Sequence, residues 1–167
     1  MSSVKGIDKV IAKLMQVSKE FQTEVKEIVE VNVGDLEMEA IRNAPGPGDR
    51  INVVGGSISQ EEVSPKRRGQ TAISQGIGYQ ISPDGYSGRV FVEKSVGDIA
   101  AYVEFGTGQD AASYLATVDP EWREQARKFY VNGKGRIIGK PYLYPAYLKY
   151  RVQFINELKA LVANTKF

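Results

Sequence analysis

Apolar residues recur at three- and four-residue steps along the first quarter of the chain. Ile7, Ile11, Leu14, Phe21, Val25 and Ile28 fall on one stripe, which then drifts to Val29, Val33, Leu36 and Ala40. That period predicts a helix over residues 4–44. The drift is what a straight 3.6-residue helix shows against a seven-residue repeat. Lys5, Lys9 and Lys13, followed by Glu20, Glu24 and Glu27, lie on the opposite face. Gly34 weakens the helix, which either bends there or breaks into two near residues 31–34. Pro45 ends it. A helix of about 40 residues is on the order of 60 Å long. That exceeds what a domain of this size needs to cover its own core, so another molecule is expected to cover part of the stripe.

Periodicity is then lost. Residues 45–69, "PGPGDRINVVGGSISQEEVSPKRRG", are rich in Gly, Pro and Ser, with short apolar clusters at residues 51–54 and around Ile58. They read as a long loop carrying a short hairpin around Gly55-Gly56, and loops of this length are usually functional or disordered. From residue 72 the period becomes two. Ile73, Ile77, Tyr79 and Ile81 alternate with small or polar residues, Gln75 being the one polar member of the apolar set. That predicts a strand. Ser82-Pro83-Asp84-Gly85 is a turn, since proline presets one torsion and Asp and Gly tolerate the rest. "GRVFVEK", residues 88–94, returns as the second strand of an antiparallel hairpin.

Beyond the hairpin, Asp98 is placed to cap a short helix through Ala100, Ala101 and Val103, stopped by Gly106 and Gly108. A helix is expected from Asp119-Pro120 to about Lys128, with proline in its first turn. Residues 132–135, "NGKG", suggest a hairpin turn between "KFYV" and "RIIG". Pro141 and Pro145 frame "PYLYP". A last amphipathic helix runs over residues 145–164, its apolar face formed by Tyr147, Tyr150, Phe154, Leu158 and Leu161. The pattern predicts an α+β fold in a single domain: a long N-terminal helix, a small antiparallel β-sheet and a C-terminal helix packed on the sheet.

Composition narrows the chemistry. The 167 residues carry a formal net charge of +2, too little to argue for nucleic acid by itself. They include no cysteine and no histidine. Disulfides, thiolate chemistry and the usual zinc ligand sets are excluded, as is every Ser-His or Cys-His nucleophile pair. No apolar run is long enough to span a bilayer, and the first residues lack the apolar core of a signal peptide.

Each candidate motif has a plain alternative. Residues 106–111, "GTGQDA", satisfy a dinucleotide-binding G-x-G-x-x-A pattern. That fingerprint needs a strand before it and a parallel sheet around it. Here the preceding run reads as a helix and the nearest strands form a hairpin, so the glycines end a helix and turn the chain. "GKGRIIGKP", residues 133–141, misses P-loop spacing by one residue from either glycine, and Pro141 stands where a Ser or Thr should bind magnesium. Tyr142, Tyr144, Tyr147 and Tyr150 sit among Lys140, Lys149 and Arg151. They either stack bases and hold phosphates or form the amphipathic shell of a packed helix, and the second reading is favoured. Lys66-Arg67-Arg68 is a solvated run or a contact for phosphate or an acidic partner. Glu104, between Val103 and Phe105, is the exposed side of a helix, a partly buried acid paired with an arginine, or an acid/base group. With no second carboxylate at fixed spacing, the last is the weakest.

The order of four segments resembles the tail-component, or tail-completion, family of long-tailed bacteriophages. They are the long helix ending in "AIRNAP" (40–45), "GQTAISQGI" (69–77), "AAYVEFGTG" (100–108) and "GKPYLYPAY" (139–147). The loop 45–69 is longer than the family pattern, and the helical segment 119–128 is an insertion in it. The resemblance implies a non-enzymatic virion protein with no catalytic residue, metal or cofactor. It implies a homo-oligomeric ring on the tail axis at the neck, or head–tail junction, which completes the tail or joins it to the connector. Its partners would be further copies, neck, connector and tail-tube proteins, and DNA passing through the channel, with no membrane. Glu104, Phe105, Gly106, Thr107, Pro141 and Pro145 would be its structural motif. The loop is expected to be mobile in the free subunit and ordered by a neighbour. Ile51, Val53 and Val54 would supply apolar contact, and Lys66, Arg67 and Arg68 would meet an acidic surface such as Glu20, Glu24 and Glu27 of another copy. The rival from another class is a nucleic-acid-binding module using the basic run and the tyrosines. A small hydrolase is a distant third.

Overall fold

The computed structural model describes residues 19–59, 72–127 and 135–165. Within them the chain is α+β. Helix α1 (Lys19–Asn43) is followed by a hairpin of β1 (Ile51–Val53) and β2 (Gly56–Ile58), a 3₁₀ turn (Ile73–Gly76), and a second hairpin of β3 (Ile77–Ile81) and β4 (Gly88–Val92). Helices α2 (Gly97–Phe105), α3 (Gln109–Leu115), α4 (Pro120–Arg127) and α5 (Leu143–Asn164) complete it. Both hairpins are antiparallel. The part of the N-terminal helix before residue 19, the basic run Lys66-Arg67-Arg68 and residues 128–134 of the expected "NGKG" hairpin lie outside the described residues.

Helix α1 is continuous through Gly34, so the break near residues 31–34 is absent. Contacts at both ends hold it. Phe21 and Val25 bury against Leu158 of α5 near its start, and Ala40 enters the main core near its end. Burying a Val or Phe side chain in full is worth roughly 1.5–3 kcal/mol, more than the helix penalty of one glycine. The helix closes with Ala44 N–H on the Ala40 carbonyl at 2.9 Å, immediately before Pro45.

The main core joins Ala40 to Ile51 and Val53 of β1, Ile73 and Ile77, and Val103. Helix α5 packs chiefly along α1, antiparallel to it. Phe21 and Val25 meet Leu158, Asn32 Nδ2 donates to Glu157 Oε2 at 2.5 Å, and Lys149 pairs with Glu39 at 3.1 Å. The β3–β4 hairpin also lies on α1, so the helix serves as a common support for sheet and C-terminal helix.

Three local expectations change. Residues 73–76 form a 3₁₀ turn, not the first half of a strand. Gln75 Oε1 accepts from Ala72 N–H at 3.1 Å, and Gly76 approaches Val96 so closely that a β-carbon would overlap it. Asp98 is not the cap of α2. The N-cap is Val96, without a side-chain bond, and Asp98 sits inside the first turn, where a carboxylate suits the helix dipole. Residues 109–115 form an additional short helix. The turn at 82–85 is as expected: Asp84 Oδ1 accepts from Ser82 Oγ and from Tyr86 N–H at 3.1 Å.

Candidate functional site

Glu104 closes the last turn of α2 and is almost wholly buried, at 2% exposure. Its side chain points away from its own helix to the start of α5. Oε2 accepts from the N–H groups of Tyr142 at 2.8 Å and Leu143 at 2.9 Å. Oε1 accepts from Tyr144 N–H at 3.0 Å and from the Tyr114 hydroxyl at 3.3 Å.

An α-helix leaves its first N–H groups without internal partners. The N-cap of α5, Tyr142, supplies no side-chain bond of its own. Glu104 therefore caps α5 from across the fold: it takes the N–H groups of the N-cap and of the first two helical residues. The third helical residue is Pro145, which has no N–H to satisfy. "PYLYP" thus divides its work, with three donors aimed at one carboxylate and a proline where a fourth would have stood. The negative charge also sits at the positive end of the α5 dipole.

Burial pushes the Glu104 carboxyl above the usual carboxylate range, and the three backbone donors and the Tyr114 phenol pull it back down. Burial, then the adjacent Glu104 charge, raises the hydroxyls of Tyr114 and Tyr142. None of the expected partners of Glu104 is the actual one. Its oxygens meet backbone amides and a phenol, and among the described residues no arginine or lysine pairs with it.

The glycine turn after Glu104 positions the next strand-like segment. Gly106 ends α2 at a φ of 73°, and its N–H reaches the Tyr102 carbonyl at 2.9 Å. Thr107, buried, then faces Ile137 in both directions. Its N–H donates to the Ile137 carbonyl at 3.0 Å, and its Oγ1 accepts from Ile137 N–H at 3.0 Å. On its other side Ile137 bridges to Val53 of β1. Lys140 N–H donates to the Val103 carbonyl at 2.7 Å, just before the cap. Residues 103–107 thus hold both the 137–140 segment and the start of α5.

Around this point lies an aromatic cluster. Phe105 contacts Tyr114 and Trp122, with ring centroids 5.9 and 6.3 Å apart. Trp122 meets Tyr144 at 5.0 Å and Tyr147 at 5.7 Å. The Tyr144 hydroxyl accepts from Asp119 N–H at 3.0 Å. Tyr142 and Tyr144 are buried, so these two rings pack helices together, while Tyr147 and Tyr150 are half-buried, with the Lys149 ammonium 5.0 Å from the centre of the Tyr150 ring.

The residues expected at an assembly interface are distributed differently. Ile51 and Val53 are buried in the subunit's own core, in one cluster with Ala40, Ile73 and Val103, and Val53 bridges to Ile137. Val54, at the hairpin tip, is 61% exposed. Glu20, Glu24 and Glu27 are exposed on α1. Among the described residues no group of acidic side chains is placed to hold a metal ion, and no helix is long and apolar enough to cross a membrane.

Residues 8–106 match the family described as "Bacteriophage HK97-gp10, putative tail-component". The match spans more than half of the chain. The chain belongs to this phage tail-component family. No curated protein and no solved structure matches it. The matched span holds all of α1, both hairpins and α2, and stops at Gly106 of this tail component, two residues past Glu104. The helix that Glu104 caps lies wholly beyond it.

Proposed function

We propose that this tail component is a structural virion subunit that forms a homo-oligomeric ring on the tail axis at the neck. There it completes the tail or joins it to the connector below the capsid. The observation that carries the structural reading is the use of Glu104. The one carboxylate that the sequence offered as an acid/base candidate has both oxygens engaged by backbone amides and a phenol, and it holds two parts of the fold together. That favours a non-enzymatic role without cofactor or metal. Partners on this reading are further copies, neck and connector proteins and the tail-tube subunit, with DNA passing through the channel. Val54 and the Glu20, Glu24 and Glu27 face are available for such contacts, and Lys66, Arg67 and Arg68 remain candidates for an acidic surface.

Gold labelling of an epitope-tagged chain in purified particles tests the location. Label at the head–tail junction is expected, and label along the tube or its far end would overturn it. Native mass spectrometry with neck and tail proteins identifies the contacts. The burial of Tyr142 and Tyr144 counts against the nucleic-acid alternative, which would be left with Tyr147 and Tyr150 for stacking. Steeply salt-dependent DNA binding by the isolated chain would revive it.

A further inference from the structure

Two helices each leave a face uncovered, and the two faces have the same spacing in opposite directions. On α1 the face is Glu27, Val31, Gly34 and Met38, at steps of four and three. Val31 is 55% exposed and Met38 53%. On α5 it is Leu148, Val152, Ile155 and Lys159, at steps of four and three, with Leu148 38% and Val152 60% exposed. Lone exposed apolar residues need no explanation, but paired stripes at seam spacing are the pattern by which helices meet.

Laid antiparallel, the faces pair without a gap. Met38 meets Leu148, Gly34 meets Val152, Val31 meets Ile155, and Glu27 meets Lys159. Among the described residues Lys159 forms no ion pair, so its charge is available to Glu27. Gly34 supplies an independent observation. It stands inside a continuous helix, where glycine costs stability relative to alanine. Nothing in its own subunit requires it: among the described residues, its own helix backbone aside, no atom lies within 4 Å of where a β-carbon would stand. Opposite it the scheme places Val152, the most exposed apolar residue of the two faces.

We infer that the α1 face of one subunit docks on the α5 face of a second copy, with Val152 seated over Gly34 and Lys159 paired with Glu27. This rests on the ring reading above and supplies its contact. Since α1 and α5 are different surfaces of one chain, the contact is head-to-tail, the kind that closes into a ring when the rotation permits. It also gives the Glu27 part of the acidic face a partner on the described chain, in place of the basic run.

Sedimentation velocity and native mass spectrometry of the full chain test the contact, with thermal melting of dilute protein as the control for folding. Val152→Glu puts a charge into the seam and should weaken self-association at least about tenfold without lowering the melting temperature. Gly34→Ala should move the two readouts apart, raising the melting temperature of the dilute subunit while weakening association. A merely structural glycine would not separate them. Glu27→Lys and Lys159→Glu should each weaken association, and the double exchange should restore it. Rings of unchanged size and affinity in Val152→Glu and Gly34→Ala would overturn this contact and leave the ring reading standing. A double charge exchange no better than either single would also overturn the contact. A wild-type chain that stays monomeric at every concentration would overturn both.

Discussion

Glutamine in place of Glu104 keeps the side chain's shape and volume but changes what it can accept. With the amide oxygen at the Oε2 position, the bonds from Tyr142 and Leu143 N–H survive. The amide nitrogen then faces Tyr144 N–H and the Tyr114 hydroxyl. An amide nitrogen accepts nothing, whatever the protonation of the carboxyl it replaces. Tyr114 can rotate its hydroxyl and accept instead, but Tyr144 N–H is fixed by the helix and buried. One stranded N–H costs about 1–3 kcal/mol. Glu104→Ala strands all three backbone donors and removes the group they surround, at about 3–5 kcal/mol. In a chain of this length each kcal/mol moves the midpoint by roughly 2–4 °C. Taking central costs of about 2 and 4 kcal/mol, Glu104→Gln should lower the melting temperature by about 4–8 °C and Glu104→Ala by about 8–16 °C. Thermal melting followed by circular dichroism measures the order wild type, Gln, Ala. Hydrogen exchange should show faster opening at Tyr142, Leu143 and Tyr144 in both variants. A Glu104→Gln protein that melts with the wild type, or a Glu104→Ala protein no worse than the Gln variant, would show that α5 does not depend on this cap.

Thr107→Val keeps the shape and removes the acceptor for Ile137 N–H, and should cost about 1–2 kcal/mol in denaturant unfolding; Thr107→Ser should recover most of it, and a neutral valine would refute the pairing. Gly76→Ala forces a β-carbon into Val96 and should destabilise by about 1–3 kcal/mol. Val96→Ala in the same chain should then relieve part of that loss, whereas simple additivity of the two changes would contradict the contact. The Lys149 hydrogen bond holds the Glu39 carboxyl below its ordinary value of 4.5, and Glu39 in turn raises Lys149 above the ordinary 10.5. Stability from the pair is therefore full between those values. It is lost as pH falls through the lowered Glu39 value or rises through the raised Lys149 value. Lys149→Met should flatten both limbs of the melting-temperature profile against pH, with the difference fading in high salt, and a superimposable profile would refute the coupling.

Much of the fold could be read from period and punctuation. The stripe through Phe21 and Val25, the turn at Ser82 to Gly85, Pro120 at a helix start and the stop at Gly106 each follow from one local rule. What escaped depends on partners that carry no residue signature. Glu104 stood out as a carboxylate between apolar neighbours, but backbone amides are common to every residue, so nothing in "PYLYP" names a carboxylate as its partner. The missing N–H of Pro145 was the one available clue. Residues 73–76 alternate as a strand does, and only the Gln75 side chain and the closeness of Val96 to Gly76 turn them into a 3₁₀ segment. Ile51 and Val53 looked too sparse to be held by their own loop. They are buried because Val103 and Ile137, distant in sequence, join them in the main core.

The chain leaves Glu104 and returns to it 38 residues later. Everything between is a closed excursion whose two ends are fastened at a single carboxylate. The entropy of closing such an excursion grows only with the logarithm of its length. The connections around α3 and α4 can therefore lengthen or shorten at small thermodynamic cost, provided Tyr114 and Trp122 keep their places in the aromatic cluster and the chain comes back with three free amides and a proline. The cap separates where α5 sits from how the chain gets there. A tail component built this way can acquire a new surface between residues 109 and 135 without moving the helix pair beneath it.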